Sequence, residues 1–232
     1  MRWNPIVDEI RGNRWQLWIG LALSVACVGG CGGDDDTIVA PASEPTTAAG
    51  FTARGWDRFT AGNFAGAETD FASALDLDES YGPALAGRGW ARLSDAATAA
   101  DLQLALANFD GAIAAGENAA YVFAGLAATK LSLGGAAFAD AVTDVQAALS
   151  ASPEFVFDYR TSFDSSDLRL IGAFAEAAQG HFQAALDAAD EVVASDIDPD
   201  HSESWNVGGI TYDSFVGAVL AFLHFLAAEY AG

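Results

Sequence analysis

The chain has 232 residues, 52% of them apolar, and its many glycines and alanines require cores built by close approach of small side chains. Formal charge is −22, from 32 acids against 10 bases, with Lys130 the single lysine. A surface this acidic repels phosphate backbones and anionic lipid, which argues against nucleic acid; solubility, a saline medium or a basic partner all fit it.

The N-terminus reads as a targeting segment. Arg2, Arg11 and Arg14 precede an apolar run, Leu17 to Val28, of 12 residues. A bilayer core of roughly 30 Å needs about 20 residues to cross, so this run is too short to span. It ends in Val28-Gly29-Gly30-Cys31, followed by Gly32-Gly33 and Asp34-Asp35-Asp36. That arrangement resembles the lipobox of bacterial lipoproteins: an apolar residue, two small residues, then Cys. The resemblance implies that Cys31 is acylated after removal of residues 1–30, and that several acyl chains together give a stable anchor. Ser24-Val25-Ala26-Cys27 is the competing site, with a polar residue where an apolar one is wanted; a plain signal peptide with an incidental Cys31 is the other alternative. In a cell with two membranes, the resemblance makes the outer membrane the favoured destination, facing periplasm or cell surface, because Gly32 stands where inner-membrane lipoproteins commonly carry Asp. Cleavage removes Arg2, Arg11, Arg14, Asp8, Glu9 and Cys27, leaving 7 bases, 30 acids and no free thiol. Thiol redox chemistry, cysteine catalysis and thiolate metal sites are then excluded.

Residues 31–47 are a polar tether with no apolar period. From Ala48 the sequence reads as helix after helix. Arg54-Gly55-Trp56-Asp57-Arg58-Phe59 returns 34 positions later as Arg88-Gly89-Trp90-Ala91-Arg92-Leu93. A fixed period of this size marks one structural unit used repeatedly, each unit burying its apolar face on its neighbours. In the first unit Gly55, Gly62, Phe64, Ala67, Phe71 and Ala74 resemble, in type and spacing, the small and aromatic positions of the tetratricopeptide repeat, with Glu79 where that family has Pro. The resemblance implies two antiparallel helices, Gly55 and Ala67 where they cross and Phe64 and Phe71 filling the space beside them. Gly89, Ala105, Phe109 and Ala112 mark a second unit, with about four extra residues near Asp95–Ala100. Gly125, Phe138, Ala141, Val145, Ala148 and Pro153 mark a third, and Ala173, Gly180, Phe182, Ala185, Ala189 and Val192 a fourth. The resemblance implies an all-α fold: an α-solenoid of about four such hairpins over residues 48–200, followed by a C-terminal capping helix in 201–232.

Two segments stand outside the repeat. Residues 154–166 form a connector carrying Phe155, Phe157, Tyr159 and Phe163, longer than an ordinary inter-repeat turn. These rings either pack back on the solenoid or serve a partner. The tail holds an apolar run, Phe215 to Ala228, of 14 residues, too short for a membrane span and suited to a cap, the alternative being a partner-binding or self-associating helix.

No catalytic signature is present: HExxH, GxSxG and a phosphate loop are all missing. Asp196-Ile197-Asp198-Pro199-Asp200 opens like a calcium loop, but His201 and Val207 stand where Gly and Glu would be required. No catalytic residue, metal site or cofactor is therefore assigned. Arg54, Arg58, Arg88 and Arg92 form a stripe across two adjacent repeats. They either pair with acids on second helices, such as Glu68, Asp70 or Asp110, or bind an anion. The family resemblance puts Trp56, Phe59, Trp90, Leu93, Phe123, Leu126, Leu170 and Phe174 on the concave face. It also implies a groove for an apolar helix or an extended peptide, unless the chain's own tail fills it. The basic and amide side chains of a carboxylate clamp are missing there.

The resulting expectation is a non-enzymatic, membrane-anchored scaffold of the bacterial envelope that binds a partner protein or peptide through an apolar concave face. The alternative is a carrier of an apolar small ligand or acyl chain in the same groove. Partner identity and oligomeric state are not legible.

Overall fold

The computed structural model describes residues 44–195, 205–207 and 210–212. The leader, Cys31 and the tail from Asp213 onward lie outside the described residues.

Eight α-helices follow one another among the described residues. They are α1 (Ala48–Thr60), α2 (Phe64–Leu77), α3 (Gly82–Asp95), α4 (Ala99–Ala114), α5 (Ala120–Leu133), α6 (Phe138–Ala151), α7 (Ser165–Ala178) and α8 (Phe182–Ser195). Each packs on its sequence neighbour, and the first helices α1, α3, α5 and α7 also touch one another in turn. The first helices therefore make one layer and the second helices the other, which is the α-solenoid that the 34-residue echo requires.

Local chemistry sets the ends. Thr47 caps α1 by accepting from Gly50 N at 3.0 Å, and Asn63 caps α2 by accepting from Gly66 N at 3.0 Å. Thr98 and Asp101 form a reciprocal capping box on α4, as do Asp164 and Asp167 on α7. Between α1 and α2 the chain turns at Gly62 with φ of 75°, and between α7 and α8 at Gly180 with φ of 84°. Side-chained residues rarely adopt this left-handed backbone, so glycine there fixes the turn of each hairpin.

The core is a row of phenylalanines gripped by glycines. Phe71 of α2 is fully buried, and a Cβ on Gly55 or Gly87 would meet its ring at 2.7 and 2.3 Å. Phe109 of α4 is held in the same way between Gly89 and Gly125, at 2.8 and 2.3 Å. The second helices α2 and α4 thus each drive one ring between two first helices, stitching unit to unit, and burying such a ring is worth about 1.5–3 kcal/mol. The third unit is in a different register from the one its sequence suggests. Gly125 takes the place of Gly87 rather than Gly89, and the equivalent of Gly89 is Ala127.

Two small antiparallel ladders interrupt the helices. β1 (Val156–Phe157) pairs with β2 (Arg160–Asp164), with Phe157 opposite Arg160 and Val156 opposite Asp164 across an irregular register. β3 (Trp205–Val207) pairs with β4 (Ile210–Tyr212). The front of the segment expected to supply a capping helix is therefore extended chain. No described helix is long and apolar enough to cross a membrane.

Candidate functional site

α6 ends at Ala151 because Ser152 turns extended and Pro153 cannot continue a helix. Beyond it Phe155 and Phe157 are buried while Glu154, Val156 and Asp158 are exposed. That alternation is the period of a strand. The β1–β2 hairpin lays its rings on the inner layer of helices. Tyr159 stacks flat on Trp56, centroids 3.8 Å apart and planes within 3°. Phe157 stacks on Trp90 at 4.3 Å and meets the edges of Trp56 and Phe59 at 5.9 and 6.0 Å. Phe163 meets the edge of Trp90 at 5.7 Å. Trp90 also donates its indole N–H to the carbonyl of Tyr121 at 3.0 Å, tying α3 to α5. The edge-on pairs among these add about 0.5–1.5 kcal/mol each beyond area burial.

Of the residues expected to offer an open groove, Trp56, Phe59 and Trp90 are consequently covered by the hairpin. Trp56, Phe59, Trp90 and Leu126 are buried, at 5%, 2%, 3% and 4% exposure. Leu93 and Phe123 are half-buried. Phe174 is part-buried against the core of α7 and α8, to which buried Leu170 belongs. The 154–166 connector lies on Trp56 and Trp90, while the tail from Asp213 lies outside the described residues. The reason is composition: that connector supplies four rings at the point where two tryptophans need covering.

The arginine stripe is engaged on α2. Arg54 grips Asp70 with both arms of its guanidinium, Nε to Oδ2 at 3.0 Å and Nη2 to Oδ1 at 2.7 Å. Arg58 Nη1 lies 3.1 Å from the same carboxylate and donates to the carbonyl of Gly66. Asp70 is only 1% exposed, so the two cations neutralise a buried charge. Arg88 and Arg92 share Glu68, their Nε atoms 3.5 and 2.7 Å from Oε1. Lys130 pairs with Asp144 at 2.6 Å; burial pushes that carboxyl up and Lys130 opposes the shift. Arg169 pairs with Glu191, and His181 lies 2.7 Å from Glu176 on the surface. Arg160 of β2 is different. It lies over the rings of Phe59 and Phe64, at 5.3 and 5.8 Å, and donates to Ser94 Oγ at 3.3 Å. Burial lowers its pKa, but an arginine stays charged at neutral pH.

Beside the hairpin a cleft of about 660 Å³ remains at the N-terminal ends of α1, α3 and α5. Its walls are Ala49 and Ala53 of α1, Pro83 of α3, Tyr121 of α5, and the hairpin's Tyr159 with Phe155. Glu154 and Asp158 stand at its hairpin side. Burial, reinforced by Glu117, holds the Tyr121 hydroxyl protonated well above its ordinary range. Tyr159 is shifted the same way by burial and by Asp158 and Asp57. Tyr121, Glu154 and Asp158 are absent from the sequence-based candidates. The available signal was the two-residue alternation of Phe155, Phe157 and Tyr159, which places Glu154 and Asp158 together on the opposite, solvent side.

No family model matches the chain, and no curated protein matches it significantly. Among solved structures it is similar to a thermophilic tetratricopeptide-repeat protein of Thermus thermophilus. The TM-score is 0.53 at 16% identity, covering 79% of this chain and 88% of that one. At this identity the likeness is one of fold, and the fold shared is the tetratricopeptide-like α-solenoid.

Proposed function

We propose that this protein is a non-enzymatic interaction scaffold of a bacterial envelope, held to its membrane by lipid on Cys31, and that it receives a partner's segment in the cleft beside the hairpin. The observation that carries the reading is the way the inner layer already treats a polypeptide. An extended segment of this chain lies across the first helices, anchored by Phe157 and Tyr159 on Trp90 and Trp56. The layer thus takes an extended chain by its aromatic side chains, the manner of groove recognition in which a few large anchors carry most of the energy. The cleft continues that surface where the hairpin leaves it open. Repeat folds of this kind generally mediate protein–protein contact, and the absence of a catalytic motif in the sequence agrees with that role.

Site-specific cross-linking tests the binding half. A photoreactive residue at Ala53, in the cleft wall, should yield one recurrent adduct in intact cells, and one at Ala65 on exposed α2 should not. Equal labelling from both positions would remove the cleft from consideration. Cys31→Ser tests the anchor: the protein should move from the membrane to the soluble fraction, and unchanged membrane association would defeat the lipid reading.

A further inference from the structure

From the charges around the cleft we infer that its occupant carries a cation: an extended peptide segment presenting a lysine or arginine side chain to Glu154 and Asp158 between the rings of Tyr121 and Tyr159. This rests on the scaffold reading above and specifies the partner's chemistry.

The first argument is an accounting of bases. From Gly32 onward the chain has seven, and every one is engaged elsewhere. Arg54 and Arg58 are on Asp70, Arg88 and Arg92 on Glu68, Lys130 on Asp144, and Arg169 on Glu191. Arg160 is spent over Phe59 and Phe64. None lines the cleft. Glu154 and Asp158 do line it, both exposed, and neither meets a cation among the described residues. Glu117 sits beside Tyr121 at the same end of α5. No base among the described residues supplies a positive charge to this space.

The second argument is the wall. Ring faces and edges with carboxylates beyond them suit an ammonium or guanidinium, which is drawn to aromatic quadrupoles and hydrogen-bonds the acids. The aliphatic stem of such a side chain would lie along Ala49, Ala53 and Pro83, with only its head at the rim. Burial is the main cause of the upward shifts of Tyr121 and Tyr159, with Glu117 adding to the first and Asp158 and Asp57 to the second. An acidic segment would be repelled here, which sets this cleft apart from a carboxylate-binding groove. The same layer already holds an extended segment of this chain by its rings, which favours an extended occupant beside it.

The test uses the full chain in detergent and three blocked peptides of equal length, alike except for lysine, norleucine or glutamate at the centre, with binding followed by calorimetry. The lysine peptide should bind about tenfold more tightly than the norleucine peptide, with the glutamate peptide weakest. The preference should shrink with added salt. It should disappear in the Glu154→Gln, Asp158→Asn double variant, whose helical circular dichroism should be unchanged because both side chains are exposed. Equal binding of the lysine and norleucine peptides would overturn the cation inference and leave the docking reading standing. A lysine preference that survives the double variant would overturn the assignment to these carboxylates. Failure of all three peptides to bind would remove the cleft as a docking site and the inference with it.

Discussion

Phe71 and Phe109 each sit between glycines of two first helices, so the sign of a glycine substitution depends on what the new methyl meets. Gly87→Ala and Gly125→Ala would place a Cβ 2.3 Å from a buried ring. Overpacking of that kind costs about 1–3 kcal/mol, which exceeds the gain of about 1 kcal/mol in helix propensity. At Gly111 of α4 the new methyl meets only Leu85, at 3.6 Å. Gly111→Ala should therefore stabilise, by about 0.5–1 kcal/mol. Urea melts of the three variants check the opposite signs. The acids of the arginine stripe differ for a similar reason. Asp70 is 1% exposed beneath two guanidinium groups, whereas the Glu68 side chain is 37% exposed. Asp70→Ala should cost about 2–3 kcal/mol, tempered because both arginine heads reach water, and Glu68→Ala less than about 1 kcal/mol. Comparable losses in the same melts would mean that burial of Asp70 does not govern its pair. Residue spacing made the Gly55–Phe71 contact legible, because helices can cross closely only where no side chain intervenes. It misplaced the third unit because α3 carries glycines two apart, Gly87 and Gly89, and both touch rings; either could have been matched to Gly125.

At the scale of elements, the β1–β2 hairpin changes what the tryptophans do. The sequence offered Trp56 and Trp90 to a partner, since period and family geometry put them on the inner layer but are silent about what covers it. Covering depends on contacts between residues roughly a hundred positions apart in sequence, such as Trp56 with Tyr159, and those have no periodic signature. The hairpin's own alternation was visible; where it would dock was not. Phe157, 1% exposed and touching both tryptophans, is the keystone. Phe157→Ala should cost about 3–5 kcal/mol, whereas Val156→Ala, at 49% exposure, should stay within about 0.5 kcal/mol. Acrylamide quenching of tryptophan fluorescence should rise in the Phe157 variant while helical circular dichroism persists below the melt. Quenching that stays at the parent level would show that the hairpin remains seated without its central ring.

Across the whole molecule, two electrostatic effects oppose one another. The 30 acids and 7 bases after Cys31 repel as a body, while a small set of ion pairs on α2, α5 and α7 holds locally. Self-repulsion acts over the full length of the solenoid, and salt shortens its reach from about 30 Å at 0.01 M to about 3 Å at 1 M. The strongest pairs are partly sheltered: Asp70 is buried, and Lys130 and Asp144 have side chains 17% and 12% exposed. Salt therefore weakens the repulsion more than it weakens the pairs. The thermal midpoint of the full chain should rise with sodium chloride across that range, and most steeply at its low end, where screening changes fastest. The same screening should weaken capture of a cationic peptide, so stability and affinity should move in opposite directions on one salt axis. A midpoint that falls with salt would instead make the arginine pairs on Asp70 and Glu68 the dominant electrostatic contribution to the fold.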